Sequence, residues 1–263
     1  MAREKKVSAK VKQFWNDRAG QAQISADQVT HKDIWQRWLE IAMISGHIRK
    51  TDRVLDVGCG NGYSTRIFAK MCREIVGIDY SEDMIRRAAQ ESRKQRSRPV
   101  PKFEQCDVLD LHPARFGLFD LAVSERCLIN LETFEKQKTA LANIASMLRR
   151  GGRYIFVEGT ADGRERLNKY RRSVGLPAMP KVWYNIDFKE AETLRFLKRF
   201  FIVEERLHFG MYDFLSRVVH PLVVMPDEPR YDARINEVAA KLALDRQEFG
   251  DLSRVLFLVL KKK

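Results

Sequence analysis

A run of alternating glycines after a short apolar segment constrains this sequence more than any other feature. Residues 53–57 have the pattern of a buried strand, and they lead directly into Gly58-Cys-Gly-Asn-Gly62. Glycines at alternate positions let the backbone turn tightly and approach a ligand where a Cβ atom would clash. The sequence then predicts a helix over 63–72 and a second strand over 74–79, which ends in Asp79. This order is typical of a β-α-β unit with a nucleotide-binding turn.

Strands and helices continue to alternate along the rest of the chain. Such alternation is typical of a parallel sheet with helices on both faces. We therefore predict a doubly wound, Rossmann-like α/β fold. The further predicted strands are 102–106, 119–124, 153–158, 201–209 and 252–260, and the further predicted helices are 82–95, 133–149, 188–200 and 231–244.

The two ends of the chain differ from its centre in pattern. Apolar residues at helical spacing predict two helices within 8–48, so residues 1–50 are expected to form an N-terminal helical cap. Residues 51–263 are expected to form the α/β domain, with insertions at about 160–187 and 210–250. Both insertions are next to carboxyl ends of predicted strands, where open α/β sheets select their ligands. We expect these insertions to select the substrate.

The composition excludes several classes of protein. The chain is 44% hydrophobic with 14 Gly and 8 Pro, which is typical of a packed domain rather than of a disordered chain. The longest apolar run, 255–260, is far shorter than the roughly 20 residues that span a bilayer, and no secretory signal follows Met1. The four cysteines form no C-x-x-C pair, so neither a metal site nor a disulfide framework is predicted. We expect a cytoplasmic protein.

The charge balance is strongly basic. The 48 Lys and Arg residues against 35 Asp and Glu residues give a net charge of +13. This charge indicates either an acidic partner, such as nucleic acid or an anionic glycan, or a solubilising surface. Much of it lies in two stretches, 86–98 and 164–172. We expect the first on the outer surface and the second beside the substrate.

The spacing of the glycines distinguishes between two classes of nucleotide ligand. The dinucleotide fingerprint G-x-G-x-x-G needs a glycine at a position where this sequence has Tyr63 or Thr65. The pattern present is D-x-G-x-G-x-G, which begins at Asp56. A buried carboxylate there would repel a pyrophosphate but suits a ligand with a cationic end. Asp79 can accept hydrogen bonds from both hydroxyls of a ribose. The loop is therefore predicted to bind a nucleoside other than NAD.

These motifs resemble those of the class I S-adenosylmethionine-dependent methyltransferases over roughly residues 50–160. The resemblance rests on 54–62, Asp79, Asp107 and the turn at Gly151-Gly152, which occur in order and at fitting distances. It implies a seven-stranded sheet that ends in an antiparallel hairpin, with S-adenosylmethionine as cofactor and S-adenosylhomocysteine as product. Residues 14–19 likewise resemble the helix that closes over the cofactor in members that act on small molecules.

The resemblance also implies roles for individual residues. The glycine loop would pass under the methionine part of the cofactor, and Asp79 would hold the ribose. Asp107, with the backbone of Val108, would meet the adenine amino group, and 124–126 would line the sulfonium side. The implied cofactor-binding residues are Trp15, Arg18, Asp56, Gly58, Cys59, Gly60, Asn61, Gly62, Asp79, Tyr80, Met84, Asp107, Val108, Ser124, Glu125 and Arg126.

The catalytic base is left open by the sequence. Methyl transfer to oxygen requires a base within hydrogen-bonding reach of the acceptor. Glu125 and Glu158 follow predicted strands directly, while His208 ends a strand and His220 lies in the second insertion. Members of the family often carry a histidine after the fourth strand, but this sequence has Asn130 in that stretch. The four residues therefore remain alternatives.

The insertions supply the candidate substrate contacts. Arginines suit an anionic group, and aromatic rings suit stacking on a sugar or base. The predicted substrate is therefore a small molecule or a sugar of a glycan, with an anionic group favoured, and the acceptor atom is expected to be oxygen. The candidate residues are Arg166, Arg171, Trp183, Tyr184, Tyr212 and Arg217.

Two alternative functions remain open. The net charge is compatible with a methyltransferase that acts on RNA, although the sequence has neither an Asn/Asp-Pro-Pro-Tyr motif nor a separate RNA-binding module. A cofactor-binding partner subunit without catalysis is the other alternative. The sequence does not indicate an oligomeric state.

Overall fold

The computed structural model describes residues 2–21, 23–94 and 99–263, and a seven-stranded sheet lies at its centre. The sheet order is β3-β2-β1-β4-β5-β7-β6 in the numbering given below. Only the last strand runs against its neighbours, since it is antiparallel to the strands on both its sides. This architecture confirms the predicted Rossmann-like fold. The strands are β1 (Arg53–Val57), β2 (Glu74–Asp79), β3 (Lys102–Gln105), β4 (Phe119–Glu125), β5 (Leu148–Gly159), β6 (Phe201–His208) and β7 (Val255–Lys262).

Helices connect the strands and cover both faces of the sheet. A π-helical stretch, Leu215–Val219, joins two short helices in the segment between β6 and β7. The helices are α1 (Ala2–Gly20), α2 (Ile34–Ser45), α3 (Tyr63–Ala69), α4 (Glu82–Lys94), α5 (Pro113–Phe116), α6 (Phe134–Met147), α7 (Ala161–Ser173), α8 (Glu190–Leu197), α9 (Gly210–Phe214), α10 (His220–Val224) and α11 (Arg234–Asp245).

Two apolar cores lie on opposite faces of the sheet because side chains alternate along each strand. Leu55 and Val57 of β1 belong to the core that includes α6 and α8. Val54, whose side chain points to the opposite face, belongs to the core that includes α2, α3 and α11. Helix α2 is therefore part of the main core of the protein, in addition to its place in the predicted N-terminal cap.

The predicted insertions contain more helix than the sequence indicated. Residues 160–187 were expected to be polar and irregular, but α7 occupies their first half. Its start is fixed by Thr160, whose hydroxyl accepts a hydrogen bond from the backbone N–H of Gly163 at 3.1 Å. The π-helical stretch and its flanking helices were also not predicted, because the prolines in 210–250 obscure a helical period.

The predicted boundary at Gly151-Gly152 is wrong in detail. Helix α6 ends at Met147, and both glycines lie inside β5, which begins at Leu148. The pairing of β4 with β5 is irregular at this point, and Gly151 has φ 73°. The glycines therefore lie in the irregular first part of β5 and do not end the helix.

The first basic stretch, 86–98, lies on the surface as predicted, over the part of it that the structure describes. Arg86 lies on α4 and pairs with Glu82 at 2.9 Å and Asp83 at 2.8 Å, in solvent. Residues 95–98 of that stretch lie outside the described residues. Within 2–21, 23–94 and 99–263, no helix is both long and apolar enough to cross a membrane.

Candidate active site

The glycine loop between β1 and α3 forms the floor of the site. Gly58 and Gly62 have φ 74° and 69°, in the left-handed region that other residues adopt only with strain. A Cβ atom on Gly58 would lie 2.1 Å from Sγ of Cys127. The backbone N–H groups of Gly58 and Cys59 both donate to the Ile78 carbonyl, at 2.8 and 2.9 Å. The loop is thus held against the end of β2 and the segment after β4.

Asp79 at the end of β2 is buried and holds the same loop. Its carboxylate accepts hydrogen bonds from the backbone N–H of Gly60 at 3.0 Å and of Ser81 at 2.9 Å. Asp56 is buried as well and accepts from the Thr65 hydroxyl at 2.6 Å. Burial raises the pKa of each of these two carboxyls to about 6. Both acids therefore favour a ligand that supplies positive charge or hydrogen-bond donors.

A cavity of about 480 Å³ opens directly above this loop. A smaller cavity of about 60 Å³ shares part of its lining, and it continues past Asp79 to Asp107 and Val108. The side chains of Tyr80 and Asn130 contribute to both. The two spaces therefore form one elongated site along the carboxyl ends of β1, β2 and β4.

Helix α1 and the segment after α7 form the roof of the larger cavity. The indole N–H of Trp15 donates to Oδ1 of Asn130 at 3.0 Å. Tyr184 contacts the rings of Phe14 and Trp15, with centroids 4.9 and 5.6 Å away. Arg18 donates to the carbonyls of residues 28 and 29. This roof covers part of the cavity.

Buried polar atoms without a partner line the cavity. The Tyr80 hydroxyl has no hydrogen-bond partner among the described residues, nor does Oδ1 of Asn185. Buried polar groups are almost always hydrogen-bonded in folded proteins. These atoms, together with the loop that excludes Cβ atoms, fit a bound polar ligand.

Comparison with protein families agrees with this geometry. The profile of a family described as a methyltransferase domain matches residues 48–191, which is more than half of the chain. The chain belongs to the S-adenosylmethionine-dependent methyltransferases. This membership confirms the resemblance found in the sequence and identifies S-adenosylmethionine as the cofactor.

Individual relatives are distant. The chain is 28% identical over 132 residues to a tRNA (carboxymethyluridine(34)-5-O)-methyltransferase of Xenopus tropicalis, which is 50% of this chain and 19% of that protein. It is 27% identical over 169 residues to a malonyl-acyl-carrier-protein O-methyltransferase of Enterobacter lignolyticus, 64% of this chain and 58% of the relative. The chain thus spans less than two thirds of either relative.

A solved structure shares the fold over nearly the whole chain. The magnesium protoporphyrin IX methyltransferase of Synechocystis, crystallised with S-adenosylhomocysteine, superimposes with a TM-score of 0.58 at 16% identity. The match covers 99% of this chain and 98% of the other. At this identity the similarity concerns the fold alone, so it extends the methyltransferase architecture to the segments outside 48–191.

Most of the expected cofactor residues line the two cavities of the methyltransferase. Three do not: Asn61 donates to the Ala26 carbonyl at 2.7 Å, Gly62 packs against Phe103, and the Ser124 hydroxyl bonds to that of Tyr154 at 2.8 Å. These three residues pack behind the residues that line the cavities. Those that line the cavities are Trp15, Arg18, Asp56, Gly58, Cys59, Gly60, Asp79, Tyr80, Met84, Glu125 and Arg126 in the larger, with Asp107 and Val108 in the smaller.

Of the four candidate bases, only Glu125 lines the cavity. Glu158 is fully buried behind it and accepts hydrogen bonds from the backbone N–H groups of residues 127, 128 and 129, at 3.2, 3.0 and 3.3 Å. His208 lies on β6, the edge strand farthest from β1 in this half of the sheet, and packs near Gly250. His220 is buried at the start of α10. The last three predicted bases therefore lie outside the cavity lining.

Of the six candidate substrate residues, Tyr184 and Arg217 line the cavity. Arg166 instead pairs with Glu190 at 2.6 Å, and Arg171 donates to backbone carbonyls of residues 177 and 217. Trp183 packs on Phe14 and is 59% exposed, outside the cavity lining. Tyr212 is fully buried and donates to Oδ1 of Asp33 at 2.6 Å. These four residues, predicted to contact the substrate, are thus outside the cavity lining.

The sequence interpretation missed a polar wall supplied by the segment 29–40. Gln36, Arg37 and Glu40 of α2 line the cavity, as do His31 and Asp33 just before the helix. A signal was present, since Asp33, Gln36 and Glu40 recur at helical spacing on a helix that is otherwise rich in large apolar residues. Tyr231 and Arg254 complete this wall from the outer segments.

The outer part of this wall is an ion-paired network. Arg217 pairs with Asp33, the N-cap residue of α2, and lies over the Tyr231 ring at 5.4 Å. Burial opposes ionisation of Asp33, but Arg217, His31 and the hydrogen bond from Tyr212 together lower its pKa to about 2. Arg254 pairs with Asp213 at 2.9 Å. Each of these arginines thus has its own carboxylate.

Within the described part of the chain, no group of three or more His, Cys, Asp or Glu side chains has an arrangement that could hold a metal ion.

Proposed function

We propose that this methyltransferase transfers a methyl group to an oxygen of a small molecule bound in the larger cavity. The observation that carries the proposal is that one cavity runs from the glycine loop to the polar wall of α2. Its volume of about 480 Å³ lies within the range of roughly 300–1,000 Å³ that small-molecule sites occupy. Cofactor and acceptor would share this space, which leaves room for a small acceptor or for one end of a larger one.

The residues present fit S-adenosylmethionine. Asp79 would accept the ribose hydroxyls, and the small cavity beside Asp107 and Val108 would take the adenine. The glycine loop would lie against the methionine part, near the buried carboxylate of Asp56. When bound, this cofactor supplies an electrophilic methyl group on a sulfonium.

Glu125 is the proposed proton acceptor for the acceptor hydroxyl. It follows β4, lines the cavity, and burial raises the pKa of its carboxyl. A base of raised pKa is better matched to removing a proton as an oxygen attacks. The roof formed by α1 and Tyr184 would exclude water during the transfer. Both curated relatives above are named as O-methyltransferases, which supports oxygen as the acceptor atom.

RNA is the second candidate acceptor. The net charge of +13 and the name of the Xenopus tropicalis relative, a tRNA methyltransferase, favour it. The roof over the glycine loop argues against it, because a polynucleotide would need an open groove or a flipped base to reach the loop.

One experiment separates these candidates. The protein is first titrated with S-adenosylmethionine, and labelled methyl transfer is then measured to three fractions: small metabolites, glycans and RNA. We expect saturable binding of the cofactor and label in the small-metabolite or glycan fraction. Labelled RNA, together with RNA binding that weakens steeply with salt, would replace the proposal. Absence of cofactor binding at millimolar concentration would reject it.

A further inference from the structure

Two buried polar atoms on one wall of the cavity lack a partner in the protein. Nδ1 of His31 and Oε2 of Glu40 have no hydrogen bond to any residue that the structure describes. The side chain of Glu40 is completely buried, and both residues line the cavity. Leaving such groups unpaired costs about 1–3 kcal/mol each. A ligand that enters the cavity can supply their partners.

Arg126 lies between these two residues. Its guanidinium donates to Nε2 of His31 at 2.9 Å and lies 3.7 Å from Oε1 of Glu40. Since arginine only donates, Nε2 must be the unprotonated nitrogen and Nδ1 carries the hydrogen. The unpaired atom of His31 is therefore a donor that requires an acceptor from the ligand.

Among the described residues, the guanidinium of Arg126 has no hydrogen bond to a carboxylate: it donates to His31, and Oε1 of Glu40 lies 3.7 Å away. Burial raises the pKa of the Glu40 carboxyl to about 8, although Arg126 acts in the opposite direction. Burial and Arg126 also hold the pKa of His31 well below its usual value. The other acid close to Arg126 is its chain neighbour Glu125, whose pKa is raised by burial although Arg126 opposes this. Arg217 and Arg254, in contrast, each pair directly with a carboxylate, that of Asp33 and that of Asp213.

The backbone holds Arg126 in a strained conformation. Its φ of 53° lies in the left-handed region, which is uncommon for a residue with a side chain. The backbone N–H donates to the Val157 carbonyl at 2.8 Å, and the carbonyl accepts from the Asn130 amide at 3.2 Å. Strain of this kind persists where surrounding contacts over-determine it, often at ligand sites.

We propose that His31, Glu40 and Arg126 form the acceptor subsite, and that this subsite binds a carboxylate group of the substrate. The carboxylate provides the hydrogen-bonded acid partner that the guanidinium lacks and acceptor oxygens for the unpaired donors. This assignment rests on the proposed methyl transfer and names its substrate class. It moves Arg126 from the cofactor side, where the sequence resemblance had put it, to the acceptor side.

The test uses the protein saturated with S-adenosylhomocysteine, so that the cofactor region is filled. Benzoate, 4-hydroxybenzoate and cinnamate are titrated against it, each beside its matched primary amide, and binding is followed by ligand-observed NMR. We expect the acids to bind saturably and the amides to bind more weakly. In Arg126→Gln the acids should lose on the order of tenfold or more in affinity, as expected for a lost charge-assisted hydrogen bond.

Two further variants keep the result interpretable. Arg86→Gln removes an exposed guanidinium on α4 and should leave acid binding unchanged. Arg126→Gly removes the same guanidinium as Arg126→Gln but suits the positive φ, so it should fold at least as well as the wild type. Both Arg126 variants should retain their affinity for S-adenosylhomocysteine within a small factor.

Three outcomes overturn the proposal. The first is equal binding of acids and amides. The second is a loss of S-adenosylhomocysteine affinity in Arg126→Gly as large as the loss of acid affinity, because Arg126 would then hold the cofactor. The third is Arg126-dependent binding of inorganic phosphate without binding of the carboxylates. If the wild type does not bind S-adenosylmethionine at all, the proposed function fails instead, so the two failures are distinguishable.

Discussion

The carboxylate of Asp79 holds the glycine loop in place and is also the proposed acceptor for the ribose. Each of its oxygens accepts one backbone N–H, from Gly60 or from Ser81, and retains capacity for a further donor. We predict that Asp79→Asn lowers the affinity for S-adenosylmethionine by about 2 kcal/mol, near thirtyfold, because a charged acceptor for the ribose is lost. Isothermal titration calorimetry measures this change.

The matched control is Asp83→Asn. It removes an exposed carboxylate on α4 whose ion-pair partner among the described residues is Arg86. Its cofactor affinity should equal that of the wild type. An unchanged affinity in Asp79→Asn would show that the ribose is held elsewhere.

Among the four candidate bases, Glu125 is the one that lines the cavity, and it lies at the end of β4. We predict that Glu125→Gln retains cofactor affinity but lowers the rate of methyl transfer about a hundredfold or more, because the hydroxyl loses its proton acceptor. Single-turnover transfer of labelled methyl measures the rate. A normal rate in this variant would exclude Glu125 as the base.

Glu158 lies outside the cavity and supports it by holding the backbone of the segment 127–129. Its carboxylate accepts three N–H groups of the segment 127–129, which lines the cavities beside Gly58. In Glu158→Gln the amide NH₂ would face one of these donors, so we predict a loss of about 1–3 kcal/mol in the free energy of unfolding. Urea denaturation measures it, and Glu135→Gln, an exposed change on α6, should have no such effect. Equal stability of the two variants would contradict this role.

At the scale of elements, α1 is joined to the site through Trp15. We predict that Trp15→Phe weakens cofactor binding by about 1 kcal/mol, because the ring packing remains while the hydrogen bond to Asn130 is lost. A cofactor titration of this variant tests the prediction against Trp38→Phe, which alters a residue on α2 outside the cavity lining. Equal weakening in both variants would argue against a roof formed by α1.

The sites of some elements could be predicted from their sequence, and those of others could not. The glycine loop after β1 was predictable because its positive φ angles require glycines at fixed spacing. Asp79 was predictable because it ends the next strand. The polar wall was not, because Glu40 becomes a neighbour of Arg126, and Gln36 a neighbour of Arg254, only when α2 packs on the sheet. For the same reason, nothing local distinguishes Arg166, which pairs with Glu190, from Arg217, which reaches the cavity.

At the scale of the whole molecule, buried acids link stability and cofactor binding to pH. Burial raises the pKa of Asp56 and Asp79 to about 6 and that of Glu158 to about 7. Between about pH 4 and pH 7 the folded protein holds protons that the unfolded chain has released, so its free energy of unfolding falls as pH rises. Asp33, with its pKa lowered to about 2, acts in the opposite direction but below this window.

The cofactor should show the opposite trend. Its cationic groups favour the ionised acids, and ribose hydroxyls require an ionised Asp79 as acceptor. We predict that the affinity for S-adenosylmethionine rises between about pH 5 and pH 7 while the stability of the cofactor-free protein falls. S-adenosylhomocysteine, which lacks the sulfonium charge, should show a smaller rise. Denaturation and titration across this range measure both, and parallel trends would contradict the assignment of these acids.

The fold itself followed from the alternation of strands and helices, since a parallel sheet with two covered faces leaves few arrangements. The net charge of +13 was less informative, because many basic side chains pair with acidic ones in solvent, as Arg86 does. The charge that bears on function is that of single buried residues such as Arg126, which no composition reveals.

A crystal structure of the protein with S-adenosylhomocysteine would show directly how the cofactor binds. We predict ribose hydroxyls on the Asp79 carboxylate, adenine in the small cavity beside Asp107 and Val108, and the sulfur facing the space between Glu125 and Arg126. A ligand bound elsewhere, or bound with its ribose away from Asp79, would contradict it.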